Sequence, residues 1–154
     1  MFASNLLVVL LALLASNCSF STKALYFDKE IAVAERASLR FHELRNEQNF
    51  NAIFELLDKQ GQPNAPAVLS ELRANYDKYG QSLESTLVEK KVIPSPAHGY
   101  TSQVKLAYET RFEKGNWTEL FAWNIRNSTD AVLVDYVVVE NKAPTPSGSP
   151  NVNK

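Results

Sequence analysis

The chain has 154 residues, enough for one domain with a sizeable core, and 16 Lys and Arg residues against 17 Asp and Glu residues leave a net charge of −1. Charges of both signs are interspersed from Lys23 onward, so there is no basic stripe and we do not expect a nucleic-acid partner. The single cysteine, Cys18, excludes an internal disulfide.

The only long apolar run lies near the start of the chain, from Leu6 to Ala15. As a helix these ten residues would extend about 15 Å, half the thickness of a hydrocarbon core of about 30 Å, so the run is too short to span a membrane. Its length and position predict a signal peptide over residues 1–17, and hence export.

The Leu, Ala and Ser residues that precede Cys18 resemble the lipobox of bacterial lipoproteins, in which the cysteine becomes the acylated first residue of the mature chain. The resemblance implies lipid attachment at Cys18 and a membrane-anchored protein that faces the periplasm or the cell exterior. Cleavage by the ordinary signal peptidase is the alternative. Residues 18–26 are predicted to be a tether between this end and the body of the protein.

A first helix is predicted from Phe27, because apolar and small residues recur at steps of three and four and charged residues occupy the remaining positions. Asp28 is placed to cap its first turn, and Glu30 falls on the solvated face. The buried stripe consists of Phe27, Ile31, Ala34, Ser38, Phe41 and Leu44.

Two shorter helices follow. The stretch "NFNAIFELLD" has apolar residues at i, i+3, i+4 and i+7 after a start signal at Asn49 or Asn51. The stretch "APAVLSELRANYDKYG" predicts a third helix that begins at Pro66 and ends at Gly80.

The second half of the chain has the period of β-strands. A less clearly patterned strand, "QSLESTLVEKKVI", precedes three clear ones within "GYTSQVKLAYETRFEKG", "WTELFAWNIRN" and "AVLVDYVVVEN". Alternation places Tyr108 and Thr110 on one face of the second strand, and Glu119 with Phe121 and Trp123 on one face of the third. Short turns between the strands predict an α+β protein with an antiparallel sheet. Residues 143–154, rich in Pro, are predicted to be disordered.

The stretches "VKLAYETRFEKGNWTELFAWNI" and "LVDYVVVENK" resemble a group of small exported bacterial proteins, many of them lipoproteins, with a nuclear transport factor 2-like (cystatin-like) fold. The resemblance covers residues 27–142. It implies three helices followed by a curved four-stranded antiparallel sheet, which together form a cone that can hold a pocket. It brings no catalytic residues to this chain.

Four aromatic residues are candidates for lining such a pocket or a sheet face: Phe41, Tyr108, Trp123 and Tyr136. Ordinary core packing and cross-strand pairing is the alternative interpretation for them.

The sequence offers little reactive chemistry. His42 and Glu43 would begin a zinc-protease motif, but the required second His is replaced by Asn46. His98 stands in a loop without metal ligands at suitable spacing, so both histidines are predicted to be surface or core-edge residues. No Gly-x-Ser-x-Gly nucleophile elbow is present. We therefore expect no metal and no cofactor.

Three functions remain open at this point. The first is a non-catalytic, lipid-anchored domain that binds a protein partner or a small apolar ligand. The second is a cone-fold enzyme acting on a small hydrophobic substrate through Tyr108, Asp135 or Tyr136, although Asp135 and Tyr136 are expected to point to opposite faces of the sheet. The third is a dimerising structural module that uses the outer sheet face.

Overall fold

The computed structural model describes residues 18–59, 64–94 and 99–140. The predicted signal peptide, the predicted disordered tail and His98 lie outside the described residues.

Within the described residues three helices precede four strands, which confirms the predicted α+β layout. The helices are α1 (Cys18–Asn46), α2 (Phe50–Leu56) and α3 (Ala65–Tyr79). The strands are β1 (Ser82–Pro94), β2 (Ser102–Phe112), β3 (Gly115–Ile125) and β4 (Ala131–Glu140). All neighbouring strands pair antiparallel in the order β1-β2-β3-β4.

Helix α1 begins earlier than the sequence indicated. Residues 18–46 contain neither Gly nor Pro, so nothing stops the helix from extending towards the N-terminus. The backbone of the predicted tether, residues 18–26, is therefore helical here, and the prediction that Asp28 caps the first turn is wrong. Glu30, assigned to the solvated face, is buried. The apolar stripe itself is confirmed, since Ile31, Phe41 and Leu44 are buried.

The two short helices begin and end at the expected signals. Asn49 caps α2, because its side-chain oxygen accepts from the backbone N–H of Ala52 at 3.2 Å. Asn64 caps α3 in the same way, so this helix begins one residue before Pro66. Gly80 ends α3 with a φ of +79°, as predicted.

The described helices cover one face of the sheet, the inner face, and leave the opposite, outer face open. Helix α1 packs across the inner face and contacts all four strands. The expected inward residues of β2 and β3 are buried, from Ser102 to Phe112 at alternate positions and from Glu119 to Ile125 likewise. The weakly patterned β1 carries two register shifts, and β4 carries one opposite Ala122 and Trp123.

A substitution at Gly80 tests the junction between the helices and the sheet. A Cβ at this position would lie 2.5 Å from the Glu113 Oε2 atom, which accepts from the Gln81 backbone N–H at 3.0 Å. We expect Gly80→Ala to destabilise the protein by about 2 kcal/mol in urea unfolding, because strain at positive φ adds to the loss of that hydrogen bond.

Gly99→Ala is the matched control, since Gly99 also has positive φ, +87°, but a Cβ there meets nothing within 4 Å. Its loss of unfolding free energy should reflect the backbone strain alone, about 1 kcal/mol. Equal losses in the two variants would contradict the role assigned to Glu113.

Candidate functional site

A buried carboxylate stands at the centre of the helix–sheet interface. Glu119 lies on the inner face of β3 and is 0% exposed. Its Oε2 atom lies 2.9 Å from the His42 Nε2 atom and 2.5 Å from the Thr110 Oγ1 atom, and its Oε1 atom lies 2.7 Å from the Tyr136 hydroxyl. The three partners come from α1, β2 and β4, so one side chain connects four elements of the fold.

The chemistry of the carboxylate fixes the direction of these bonds. An ionised carboxylate only accepts, so His42 donates through a protonated Nε2, and the Thr110 and Tyr136 hydroxyls donate too. Thr110 has only one hydroxyl proton, and its Oγ1 atom also lies 3.0 Å from the Ser85 hydroxyl. Ser85 therefore donates to Thr110, and a short chain of hydroxyls leads from Glu119 to the half-buried surface of β1.

The donors decide the ionisation of Glu119. Burial alone raises the pKa of this carboxyl, but the hydrogen bond and charge of His42, with the hydrogen bonds from Thr110 and Tyr136, outweigh burial and hold the pKa below its usual value. Burial and the adjacent Glu119 charge raise the pKa of Tyr136 well above the usual value, so this phenol stays protonated. The cluster is thus a stable ionised acceptor with its donors in place.

Two further charged side chains, Arg45 and Glu30, are buried on α1. Among the described residues the Arg45 Nη1 and Nη2 atoms meet no acceptor, and the guanidinium carbon lies 4.6 Å from the Phe112 ring centre and 5.6 Å from that of Tyr76. Within the same residues neither carboxylate oxygen of Glu30 meets a donor. The charge of Arg45 lowers the pKa of Tyr136, which places this cation within electrostatic reach of the Glu119 cluster.

The four aromatic residues singled out in the sequence come together on the inner face. Phe41 and Trp123 are fully buried, Tyr108 is buried and Tyr136 is half-buried. Phe41 contacts Tyr136 and Phe121 at ring-centre distances of 4.6 and 5.3 Å, and the Trp123 indole N–H donates to the Ser38 hydroxyl at 2.8 Å. These side chains fill the space between α1 and the sheet, where the pocket of a cone would lie.

The other predicted positions lie apart from this cluster. Cys18 is the first described residue of α1. Asp135 is exposed on the outer side of β4, whereas Tyr136 points inward, as the alternation predicted. His42, assigned to the surface or core edge, is instead buried against Glu119.

One feature of the sequence could have predicted the contact between His42 and Glu119. Glu119 is the one charged residue in the inward set of β3, among Trp117, Phe121 and Trp123. His42 follows Phe41 on the buried side of α1. A carboxylate on an apolar sheet face needs donors from the opposing layer, and a histidine on the covering helix is a suitable one.

The outer face of the sheet exposes several large apolar side chains. Leu120, Val137 and Val139 are 41%, 43% and 43% exposed. A shallow groove of about 240 Å³ runs across this face over Ala107, Leu120 and Ala122. Charged side chains border it on both sides, with Glu89, Lys91 and Lys105 towards β1 and Asp135 on β4.

Within the described ranges, no three His, Cys, Asp or Glu side chains lie close enough together to hold a metal ion. None of the three helices is long and apolar enough to cross a membrane.

Comparison of the chain with protein-family models, with curated proteins and with solved structures gave no match.

Replacing Glu119 tests the buried cluster. In Glu119→Gln the amide N–H₂ meets groups that already donate, so we expect a loss of about 2–3 kcal/mol of unfolding free energy at pH 7. The pKa of Glu119 is lower in the folded state than in the unfolded chain, where it is about 4.3. The stability that the ionised carboxylate contributes is therefore complete above the unfolded-state pKa and is lost as the pH falls through the folded-state pKa. The difference in unfolding free energy between wild type and Glu119→Gln should therefore become smaller on acidification, as measured by urea unfolding from pH 7 to pH 3.

Glu109→Gln is the control, because Glu109 is exposed on the outer face of β2. Its stability difference from wild type should be small across the same pH range. A difference for Glu119→Gln that stays constant from pH 7 to pH 3 would contradict the ionised, donor-held state.

Proposed function

We propose that this chain is an exported, non-catalytic domain, anchored to a membrane through a lipid on Cys18, that pairs with a second copy of itself through the outer face of its sheet. The observation that carries the proposal is the contrast between the two sheet faces. Aromatic side chains and the Glu119 carboxylate, which accepts from three donors, fill the inner face. The outer face exposes Leu120, Val137 and Val139.

The non-catalytic part rests on the state of the buried cluster. Glu119 resembles a catalytic carboxylate in its burial and its His and Tyr neighbours, but it is 0% exposed, and three donors occupy its oxygens. A general base needs a free lone pair within reach of a substrate proton, and its pKa should lie near the working pH. Glu119 has the opposite properties, since its pKa is lowered and its solvent contact is nil.

The choice of a second copy rests on the pattern of charges across the sheet. Lys91, Lys105, Ala122 and Asp135 are successive cross-strand partners, so they form one row from β1 to β4 that is basic at one end and acidic at the other. A two-fold axis parallel to the strands lays β1 of one copy over β4 of its partner. Lys91 then faces Asp135 of the second copy, twice in the dimer.

The neighbouring row supplies complementary apolar shapes at its centre. It runs through Glu89, Ala107, Leu120 and Val137. The same axis sets Leu120 over Ala107 of the second copy, a large side chain against a small one, and sets the exposed Glu89 over Val137 at the border of the interface. Four strands of ten residues present about 600 Å² of projected area, close to the roughly 800 Å² per partner of standard interfaces.

The family resemblance supports the architecture proposed around this interface. Three helices followed by a four-stranded antiparallel meander, with the long helix across the inner face, is the layout expected of a nuclear transport factor 2-like body. We propose that the body, residues 27–142, has this fold and that aromatic packing replaces the pocket of the cone.

Leu120→Lys tests the interface. It places a charge at the centre of the apolar row, so we expect the dissociation constant of the dimer to rise at least tenfold in sedimentation equilibrium, with unchanged unfolding free energy. Leu39→Lys is the control, because Leu39 is 60% exposed on α1 and away from the sheet. Its dissociation constant should equal that of the wild type.

Charge reversal tests the proposed axis. Lys91→Glu should weaken the dimer, and the double variant Lys91→Glu/Asp135→Lys should restore it, because each new pair is again of opposite sign. A wild-type protein that stays monomeric up to about 1 mM would overturn self-association, and the outer face would then belong to another protein or a small ligand.

The anchor is tested separately by labelling. A bacterial host that expresses the full chain is grown with a radioactive fatty acid, and incorporation into the protein is measured. We expect Cys18→Ala to abolish incorporation and Ser19→Ala to retain it, because only the thiol can carry the thioether-linked lipid. Unchanged incorporation in Cys18→Ala rejects the anchor and favours ordinary signal-peptidase cleavage.

A further inference from the structure

A second concave surface lies between helix α3 and the free edge of β4. This cleft has a volume of about 140 Å³. Its lining is mixed. Leu57, Val68 and Leu72 on the helical side and Leu133 on the strand supply its apolar part, and Asn75, Tyr136 and the carboxylates of Glu71 and Asp135 supply its polar part. An engineered cavity of similar size, about 150 Å³, holds one benzene molecule, so this volume suits a single Leu or Phe side chain.

The backbone next to the cleft offers strand pairing. Leu57 and Leu133 form an isolated parallel bridge, and the Asp58 N–H donates to the Leu133 carbonyl at 2.8 Å. Among the described residues this is the only backbone hydrogen bond on the outer edge of β4. The strand continues to Glu140, whose carboxylate pairs with Lys78 of α3 at 3.2 Å and closes the far end. About six residues of strand edge therefore lie between the bridge and the ion pair.

The rim of the cleft is acidic. Glu71 on α3 and Asp135 on β4 both line it and are both exposed. Within the described ranges neither carboxylate has a cationic partner at ion-pair distance. An extended chain that pairs with β4 would carry its alternate side chains into the cleft and out towards this rim.

We propose that the cleft between α3 and β4 binds an extended peptide segment with an apolar residue flanked by basic residues. The segment adds to β4 as a parallel strand and continues the ladder that Leu57 and Asp58 begin. Its apolar side chain fills the cleft, and its Lys or Arg side chains face Glu71 and Asp135. Backbone hydrogen bonds supply affinity, and the rim supplies selectivity for basic sequences.

The probe is the peptide acetyl-Lys-Leu-Lys-Val-Lys-amide, titrated into the full chain and followed by NMR of backbone amides. We expect saturable shifts confined to residues 133–139 and 68–75. The matched peptide with Glu in place of Lys, and one methylated on two backbone nitrogens, should bind at least tenfold more weakly. Binding of the methylated peptide at full strength, or shifts confined to the β1 edge, would overturn the proposal.

Glu71→Lys separates the rim from general electrostatics. We expect it to weaken peptide binding about tenfold, whereas Glu47→Lys, an equal charge change on an exposed residue in the turn after α1, should change affinity less than about twofold. Equal effects of the two variants would overturn the role of the rim.

The peptide site and the self-association proposed above share Asp135, and Leu120→Lys separates them because Leu120 lines the outer groove and not the cleft. It should dissociate the dimer, and the peptide should bind this variant at least as tightly as it binds the wild type, because Asp135 is then free of Lys91 of the second copy. Loss of peptide binding in Leu120→Lys would overturn a separate site at the β4 edge.

Discussion

The fold depends on satisfying one carboxylate in an apolar interior. Glu119 is surrounded by the aromatic side chains of the inner face, where an unpaired charge would be strongly destabilising. Its three donors come from α1, β2 and β4, so the charge is tolerated only when helix and sheet have one particular alignment. A sliding of α1 by one turn would move His42 by about 5.4 Å and leave Glu119 without its donor from the helix. The cluster therefore favours a unique alignment over a merely apolar contact, a role attested for buried polar groups in other proteins.

The same packing determines where binding can occur. Phe41, Phe121 and Trp123 occupy the interface between α1 and the sheet, so nothing larger than a side chain fits there without separating the two layers. Antiparallel sheets tolerate one solvated face, and on this sheet that face is not uniformly polar. Val137 and Val139 on β4 stand beside Leu120 on β3, and a contiguous apolar strip of this kind marks an interaction surface more often than a solvated one.

Alternation and capping could be read from the sequence, because they are local. The period of two in β2 and β3 assigned each inward residue, including Glu119, and Asn49 and Gly80 marked helix ends through hydrogen bonding and positive φ. The start of α1 was missed, since a segment without Gly or Pro holds no stop signal. The partnership of His42 with Glu119 was missed for another reason. Two residues 77 positions apart meet only through the helix–sheet alignment, which periodicity does not specify.

Edge protection explains why β4 differs from β1 as a place for a partner. Strand β1 has two bulges and the run Glu89-Lys90-Lys91, devices that discourage pairing along an exposed edge. Strand β4 carries a bulge near Val134, but from Asp135 to Val139 its edge is regular and rich in β-branched residues. Helix α3 lies across the cleft from that stretch, and the parallel bridge between Leu57 and Leu133 shows that the edge pairs with an extended backbone in this orientation. The edge of β4 is therefore regular, lies beside a cleft and is bordered by two carboxylates. Repulsion between carboxylates disfavours pairing with the same edge of a second copy, and attraction favours pairing with a basic extended chain.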